Sequence, residues 1–138
     1  TAFARGLGDT VTRLDRTEPE LNVPSGPAML DTTTPRAMTH TLQKLLVGNA
    51  LSEASRRTLL QWLKANTTGD KRLRAGIPAG WAVGEKTGTN RSDANDIGIA
   101  WPPGRAPWLV SAYLADSAAP PAAREAAIAG VGRLLAAL

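Results

Sequence analysis

The chain has 138 residues, 43% of them apolar, and a formal charge of +4. That length supports one domain with a real core. Its Lys and Arg are scattered, with no basic run interleaved with aromatics, so there is no nucleic-acid footprint. A moderate positive balance suits an anionic small ligand. The absence of cysteine excludes disulfides, thiolate catalysis and Cys-based zinc sites. His40 is the only histidine and has no evident partner set, so neither a metal nor a cofactor is expected. No apolar run reaches the roughly 18–20 residues of a membrane helix.

The first residues, TAFARGLGD, read as the end of a helix, with Gly6 and Gly8 suited to its C-terminus. A chain seldom begins inside its own helix, so this reads as the later part of a longer protein. Residues 9–32 hold Pro19, Pro24, Ser25, Gly26 and Pro27, which argue against regular structure. An irregular segment of that length is usually functional or disordered. Its charged residues, Arg13, Asp15, Arg16, Glu18, Glu20 and Asp31, can tie it down by ion pairs.

TTTPRAMTHTLQKLLVGN reads as a helix capped by Thr34, with Pro35 in its first turn and Gly48 at its stop. Met38, Leu42, Leu45 and Leu46 form its buried stripe. LSEASRRTLLQWLKANTTG reads as a second helix. Ser52 is its N-cap, and Leu59, Leu60 and Leu63 mark its apolar face. The short link between them makes the two helices neighbours.

After Gly69 the pattern becomes strand-like: WAVGEKTGT, DIGIAWP and WLVSAYLA. Ile97, Ile99 and Trp101 line one face of the middle strand. Gly98 and Ala100 leave the other flat enough for a helix to approach closely. The turn PPGRAP joins the last two strands into a hairpin. Residues 108–115 are apolar on both sides, as in a strand covered on both faces. From about Ala122 to Leu138 the chain reads as a helix on the sheet, with Ile128, Val131, Leu135 and Leu138 on one side.

Two short stretches carry the chemistry. In TEPELN (17–22), Glu18 is a candidate general base for a water that Asn22 helps to hold, against the plainer reading of a solvated acidic turn. In EKTGT (85–89), Lys86 offers a cation, Thr87 and Thr89 offer hydroxyls, and Gly88 leaves the backbone open to a ligand. An edge strand with free N–H groups can bind a ligand by β-addition. Together these form a seat for a carboxylate and an adjacent carbonyl.

The pair resembles the class A serine β-lactamases, for which KTG is a known signature. E-x-x-L-N is represented by Glu18, Leu21 and Asn22. VTRLDR (11–16), DTTTP (31–35) and LRAGIPAGWAVGEKTGT (73–89) are similar to the family's sequence, and the resemblance covers essentially the whole chain. It implies an α/β (α+β) fold of the β-lactamase/transpeptidase type: an antiparallel sheet flanked by helices, plus part of an all-helical subdomain. Residues 1–70 would belong to the helical subdomain, with an Ω-loop at about 13–32, and 71–138 to the α/β subdomain. The fold would be incomplete, exposing apolar surface and a sheet edge that a complementary part covers.

The same resemblance implies the roles. Glu18 is the general base for deacylation, and Asn22 helps to hold its water. Lys86 and Thr87, with Gly88 between them and Thr89, bind the β-lactam carboxylate. The Thr89 backbone N–H forms half of the oxyanion hole. Arg16 and Asp31 are the ion pair closing the Ω-loop, and the Glu18–Pro19 bond is cis. Many members place an Arg where Asn95 stands. Others supply it from the segment before KTG, where Arg72 fits, Arg74 is second, and a solvated surface arginine is the plain alternative. Thr17 replaces a frequent Trp, and NRSDAND (90–96) is shorter and more polar than the usual Gly-rich run.

Neither S-x-x-K nor S-D-N occurs in usable form among the 138 residues. The nucleophile would come from a complementary N-terminal part, the substrate would be a β-lactam, and the resemblance implies a periplasmic or secreted location. A penicillin-binding transpeptidase fragment and a non-catalytic interaction module on the same fold remain the alternatives.

Overall fold

A computed structural model describes residues 1–23 and 25–138. Pro24, one of the turn formers noted above, lies outside the described residues. A short helix α1 (Ala2–Gly6) leads into the loop segment, where two 3₁₀ turns, Glu20–Asn22 and Gly26–Ala28, are the only regular structure among the described residues before α2 (Pro35–Leu42). Gly8 takes the left-handed conformation expected after α1, at φ 84°, whereas Gly6 stays within the helix.

Thr34 caps α2 as expected, its hydroxyl accepting from the Ala37 N–H at 3.2 Å. The helix widens into a π-helical turn over Gln43–Val47 before Gly48 ends it. Leu42 and Leu46 are buried, while Leu45 is half-buried. Ser52 caps α3 (Glu53–Ala65), accepting from Ser55 N–H. A four-residue helix, α4 (Leu73–Gly76), follows. The sequence reading did not anticipate it, because so short a turn leaves no periodic signal.

The three strands form an antiparallel sheet in the order β1 (Ala82–Thr89), β2 (Ala94–Trp101), β3 (Trp108–Leu114). Gly104, at φ 70°, makes the turn between the last two. Thr87 lies opposite Asp96 and Glu85 opposite Gly98, and directly opposed residues share a face. The final helix α5 spans Pro121–Ala136.

Each face of the sheet has its own core. On one side Leu42, Leu46 and Leu63 meet Ile99, joined by Ile97, Trp101, Leu59, Leu60 and Leu109. On the other, Leu73, Ile77 and Ile128 meet Val83, Ala94, Ala100, Val110 and Ala112, with Leu135 against them. β3 is covered by α2 and α5, as its two apolar faces require.

A helix, α5, does approach the face that Gly98 and Ala100 leave flat. The glycine itself is demanded by β1, since a Cβ at Gly98 would sit 2.3 Å from the Gly84 carbonyl oxygen. One expectation is corrected. The buried stripe of α5 is Arg124, Ile128, Ala129 and Gly132, whereas Val131 and Leu138 are exposed. Gly132 lets α5 run against α4, since a Cβ would lie 2.5 Å from the Leu73 carbonyl oxygen. Small residues set that contact, so reading only large apolar side chains placed the stripe wrongly. Phe3, Trp62, Leu134 and Leu138 stand out as exposed apolar side chains, and β1 and β3 are the two sheet edges.

Candidate active site

The loop is tied at its base. Asp31 Oδ2 accepts from Arg16 Nε at 2.5 Å, and Asp31 Oδ1 accepts from the backbone N–H groups of Asp15 and Arg16 at 2.6 and 2.9 Å. Asp15 closes the exchange, accepting from Asp31 N–H at 3.0 Å and from Arg13 through two nitrogens. Arg16 also reaches the Val23 carbonyl at 2.8 Å. Burial opposes the Asp31 charge, but the donors from Arg16 and Asp15 outweigh it and hold its pKa at about 2. Asp31 adopts φ 56°, in the left-handed region that a non-glycine residue seldom occupies without such a surrounding network.

Within this loop Asn22 Nδ2 donates to the Glu18 carboxylate, and more distantly to the Pro19 carbonyl at 3.4 Å. The 3₁₀ turn Glu20–Asn22 makes this possible by bringing residue 22 back over residue 18. The Glu18–Pro19 bond is cis. Glu18 is exposed, so its carboxylate can reach a water. Glu20 is also exposed and points to no partner among the described residues.

Lys86 lies exposed on β1 and donates to the Thr87 carbonyl. Thr87 Oγ1 is 2.6 Å from Thr68 Oγ1, which itself donates to Asn66 Oδ1 at 2.9 Å. Gly88 is crowded by nothing: a Cβ there would meet Asn95 only at ordinary contact distance, 3.6 Å. Its bareness therefore leaves the strand surface open.

Arg72 is buried, at 4% exposure, which rules out the surface-arginine alternative. Its guanidinium lies against the end of β1, donating to the carbonyls of Gly88 and Asn95 at 3.1 and 2.7 Å and to Thr89 Oγ1 at 2.6 Å. Arg74 is directed elsewhere, to Asp70 and Glu85 at 3.3 and 3.4 Å. The arginine at Thr89 is thus Arg72. Asn95 keeps its Oδ1 buried without a partner.

A cleft of about 400 Å³ separates the loop from the β1–β2 hairpin, with Leu21 and Asn22 on one wall and Asn90, Ser92 and Asp93 on the other. Asn22 lines this cleft, but Glu18 and residues 85–89 do not. Among the described residues no hydrogen bond or ion pair joins Glu18 to residues 86–89.

Sequence reading missed a buried acid pair behind this strand. Glu85 and Asp96 are fully shielded from solvent. Burial, then the hydrogen bond and charge of Glu85, push the Asp96 pKa well above the ordinary carboxylate range. Glu85 is held by Asn66 Nδ2 at 3.0 Å, and Asp96 accepts from Leu73 N–H at 3.1 Å. The signal available was position parity. Both acids fall on inward-facing places of strands whose neighbours on that face, Val83, Ala94 and Ala100, are apolar.

The model of the beta-lactamase enzyme family matches residues 1–138. The chain is similar to a beta-lactamase of Streptomyces albus G, 47% identical over 99% of this chain and 44% of that protein. It is also similar to the carbapenem-hydrolyzing beta-lactamase KPC of Klebsiella oxytoca, 48% identical over 97% and 46% of the two chains. It thus spans about half the length of these relatives. A beta-lactamase structure from Xanthomonas campestris pv. campestris superposes with TM-score 0.96 at 50% identity, covering 100% of this chain and 52% of that one. An ancestral class A beta-lactamase structure superposes with TM-score 0.94 at 59% identity, over 97% and 52%. With a family model spanning every residue and class A structures matching its fold throughout, the chain belongs to the beta-lactamase enzyme family, in its class A branch.

Proposed function

We propose that this chain carries the deacylation and substrate-carboxylate half of an enzyme that hydrolyses β-lactams through a serine acyl-enzyme. The observation that carries this reading is the Glu18–Asn22 contact within a loop locked by Arg16 and Asp31. A carboxylate and an amide oxygen together can hold and deprotonate one water.

In the proposed reaction the acyl-enzyme ester forms on a serine that a complementary N-terminal part supplies. Water attacks the ester carbonyl while Glu18 takes its proton. The negative charge that develops on the carbonyl oxygen is stabilised by the Thr89 backbone N–H, an effect worth about 3 kcal/mol for one such donor. Collapse of this intermediate expels the serine oxygen, which regains a proton, and releases the ring-opened acid. Lys86, Thr87 and Arg72 bind the substrate carboxylate, with Gly88 leaving the strand bare for its approach. Arg72 acts partly by fixing the Thr89 side chain. The enzyme would work in the periplasm or outside the cell, and this chain alone would be inactive because it holds no S-x-x-K serine.

The test is complementation. The chain is mixed with an N-terminal half of a class A relative carrying S-x-x-K and S-D-N, and penicillin hydrolysis is followed. Hydrolysis is expected from the mixture and from neither part alone. Hydrolysis that continues at the full rate with Glu18→Ala would remove Glu18 from the role of base.

A further inference from the structure

Arg74 faces Asp70 and Glu85 rather than Thr89, yet it anchors a chain of hydrogen bonds that ends at the substrate strand. A guanidinium carries donors only, so Glu85 Oε1, 3.4 Å from Arg74 Nη2, is an acceptor. The Asn66 amide therefore turns its Nδ2 to the same oxygen, at 3.0 Å. Its Oδ1 is left facing Thr68, whose hydroxyl donates to it at 2.9 Å. Gly69 keeps this segment close on β1, since a Cβ there would fall 1.6 Å from Glu85 Oε2.

A hydroxyl has one proton to give. Thr68 gives its proton to Asn66, so in the 2.6 Å contact of Thr68 Oγ1 with Thr87 Oγ1 Thr87 donates and Thr68 accepts. Each link fixes the sense of the next, from the guanidinium and the buried Glu85 outward. Reversing the last link would strip Asn66 Oδ1 of its one donor among the described residues. Thr87 thus turns its proton to Thr68 and leaves only oxygen lone pairs toward the open side of β1. Lone pairs repel a carboxylate.

We propose that Thr68 is a positioning residue of the carboxylate seat, one that competes with the substrate: it holds the Thr87 hydroxyl proton, and a substrate carboxylate must win that hydrogen bond from it. The proposal rests on the reading of Thr87 as a group that binds the substrate carboxylate. The proton stays on Thr87 Oγ1 throughout, and only its acceptor changes. Arg74, Glu85 and Asn66 act at a distance, by setting the sense of the chain.

The experiment is steady-state penicillin hydrolysis by the chain assembled with its complementary N-terminal half, in a double-mutant cycle of Thr68→Val and Thr87→Val. Thr68→Val keeps the shape and removes the competing acceptor. KM is expected to fall about threefold, the worth of one neutral hydrogen bond. kcat stays level, because the carboxylate contact is the same in ground and transition states. Thr68→Ser keeps the hydroxyl and should retain the unaltered KM. In the Thr87→Val background Thr68→Val should leave KM unchanged, and in the Thr68→Val background Thr87→Val should raise it. A residue that merely supported the strand would raise KM when removed, in either background. If Thr87→Val raises KM in either background but Thr68→Val does not lower it, the role of Thr68 is overturned and Thr87 keeps its place in the seat. If Thr87→Val moves KM in neither background, the reading of Thr87 falls and the proposal with it.

Discussion

The Nη2 of Arg72 donates to Thr89 Oγ1 at 2.6 Å, joining the segment before α4 to the last residue of β1. The same guanidinium holds the carbonyls of Gly88 and Asn95, so one buried side chain fixes both strands of the hairpin where the carboxylate seat is proposed. Arg72→Ala strips these acceptors of their donor. A stability loss of about 1–3 kcal/mol is expected from urea unfolding of the assembled protein. In steady-state kinetics KM should rise more than kcat falls, because the proposed contact is made to bound substrate. An unchanged KM would separate Arg72 from the substrate.

Glu18→Gln should stop the reaction after acylation. The hydrolytic step is expected to slow about 10²–10⁴-fold, the usual worth of a positioned general base. Mass spectrometry of the assembled protein after a penicillin pulse should then find the acyl adduct, which the unaltered protein clears. Asn22→Ala should slow the same step less, since it removes a partner of the base and leaves the base itself.

The Asp31 network makes the loop sensitive to acid. The folded pKa of Asp31, about 2, lies below the ordinary value of roughly 3.9. Its stabilising contribution is therefore complete above about pH 4 and lost as pH falls through about 2. Limited proteolysis within residues 17–30 should accelerate over that range. Asp31→Asn should make the loop equally susceptible at neutral pH, because Arg16 Nε loses its charged acceptor.

Asp96 titrates in the opposite sense. Its folded pKa is raised, first by burial and then by Glu85, so the folded state keeps a proton that the unfolded chain releases. Stability is complete below about pH 4, the ordinary carboxylate range, and declines as pH rises toward the raised folded value. Asp96→Asn should flatten this decline: its Oδ1 can still accept from Leu73 N–H, and its Nδ2 can donate to Glu85. Unfolding midpoints measured across that pH range would decide, and an equal slope in both proteins would refute the raised pKa of Asp96.

The contact of α5 with α4 should be intolerant of bulk. Gly132→Val drives a Cβ to within 2.5 Å of the Leu73 carbonyl, and overpacking of this kind costs about 1–3 kcal/mol. Because Leu73 N–H also holds Asp96, the variant should alter the pH dependence of stability as well as its size.

Much of the fold was legible because local signals agree. Thr34 and Ser52 cap the helices that their positions announce, and the alternation in 82–101 follows the observed strands. The π turn at Gln43–Val47 and the four-residue α4 were not legible because such short elements leave no periodic signal, and the true stripe of α5 was not because small residues set its contact with α4. Of the site, Glu18–Asn22 and Arg16–Asp31 were readable as motif positions. Glu85 was passed over, although it directly precedes the Lys86 that was singled out.

The sequence by itself determined the family, the loop motif, the strand carrying Lys86 to Thr89, and the lack of an S-x-x-K serine, because these rest on residue type and short spacing. Only the tertiary structure separates the surroundings of Arg72 and Arg74, which stand two residues apart with the same charge. One falls against the end of β1 and the other against Glu85 and Asp70. The same holds for the burial that raises the Asp96 pKa and for the buried guanidinium of Arg124. Charge and desolvation depend on what the folded chain brings near a group, and composition and periodicity carry no record of that.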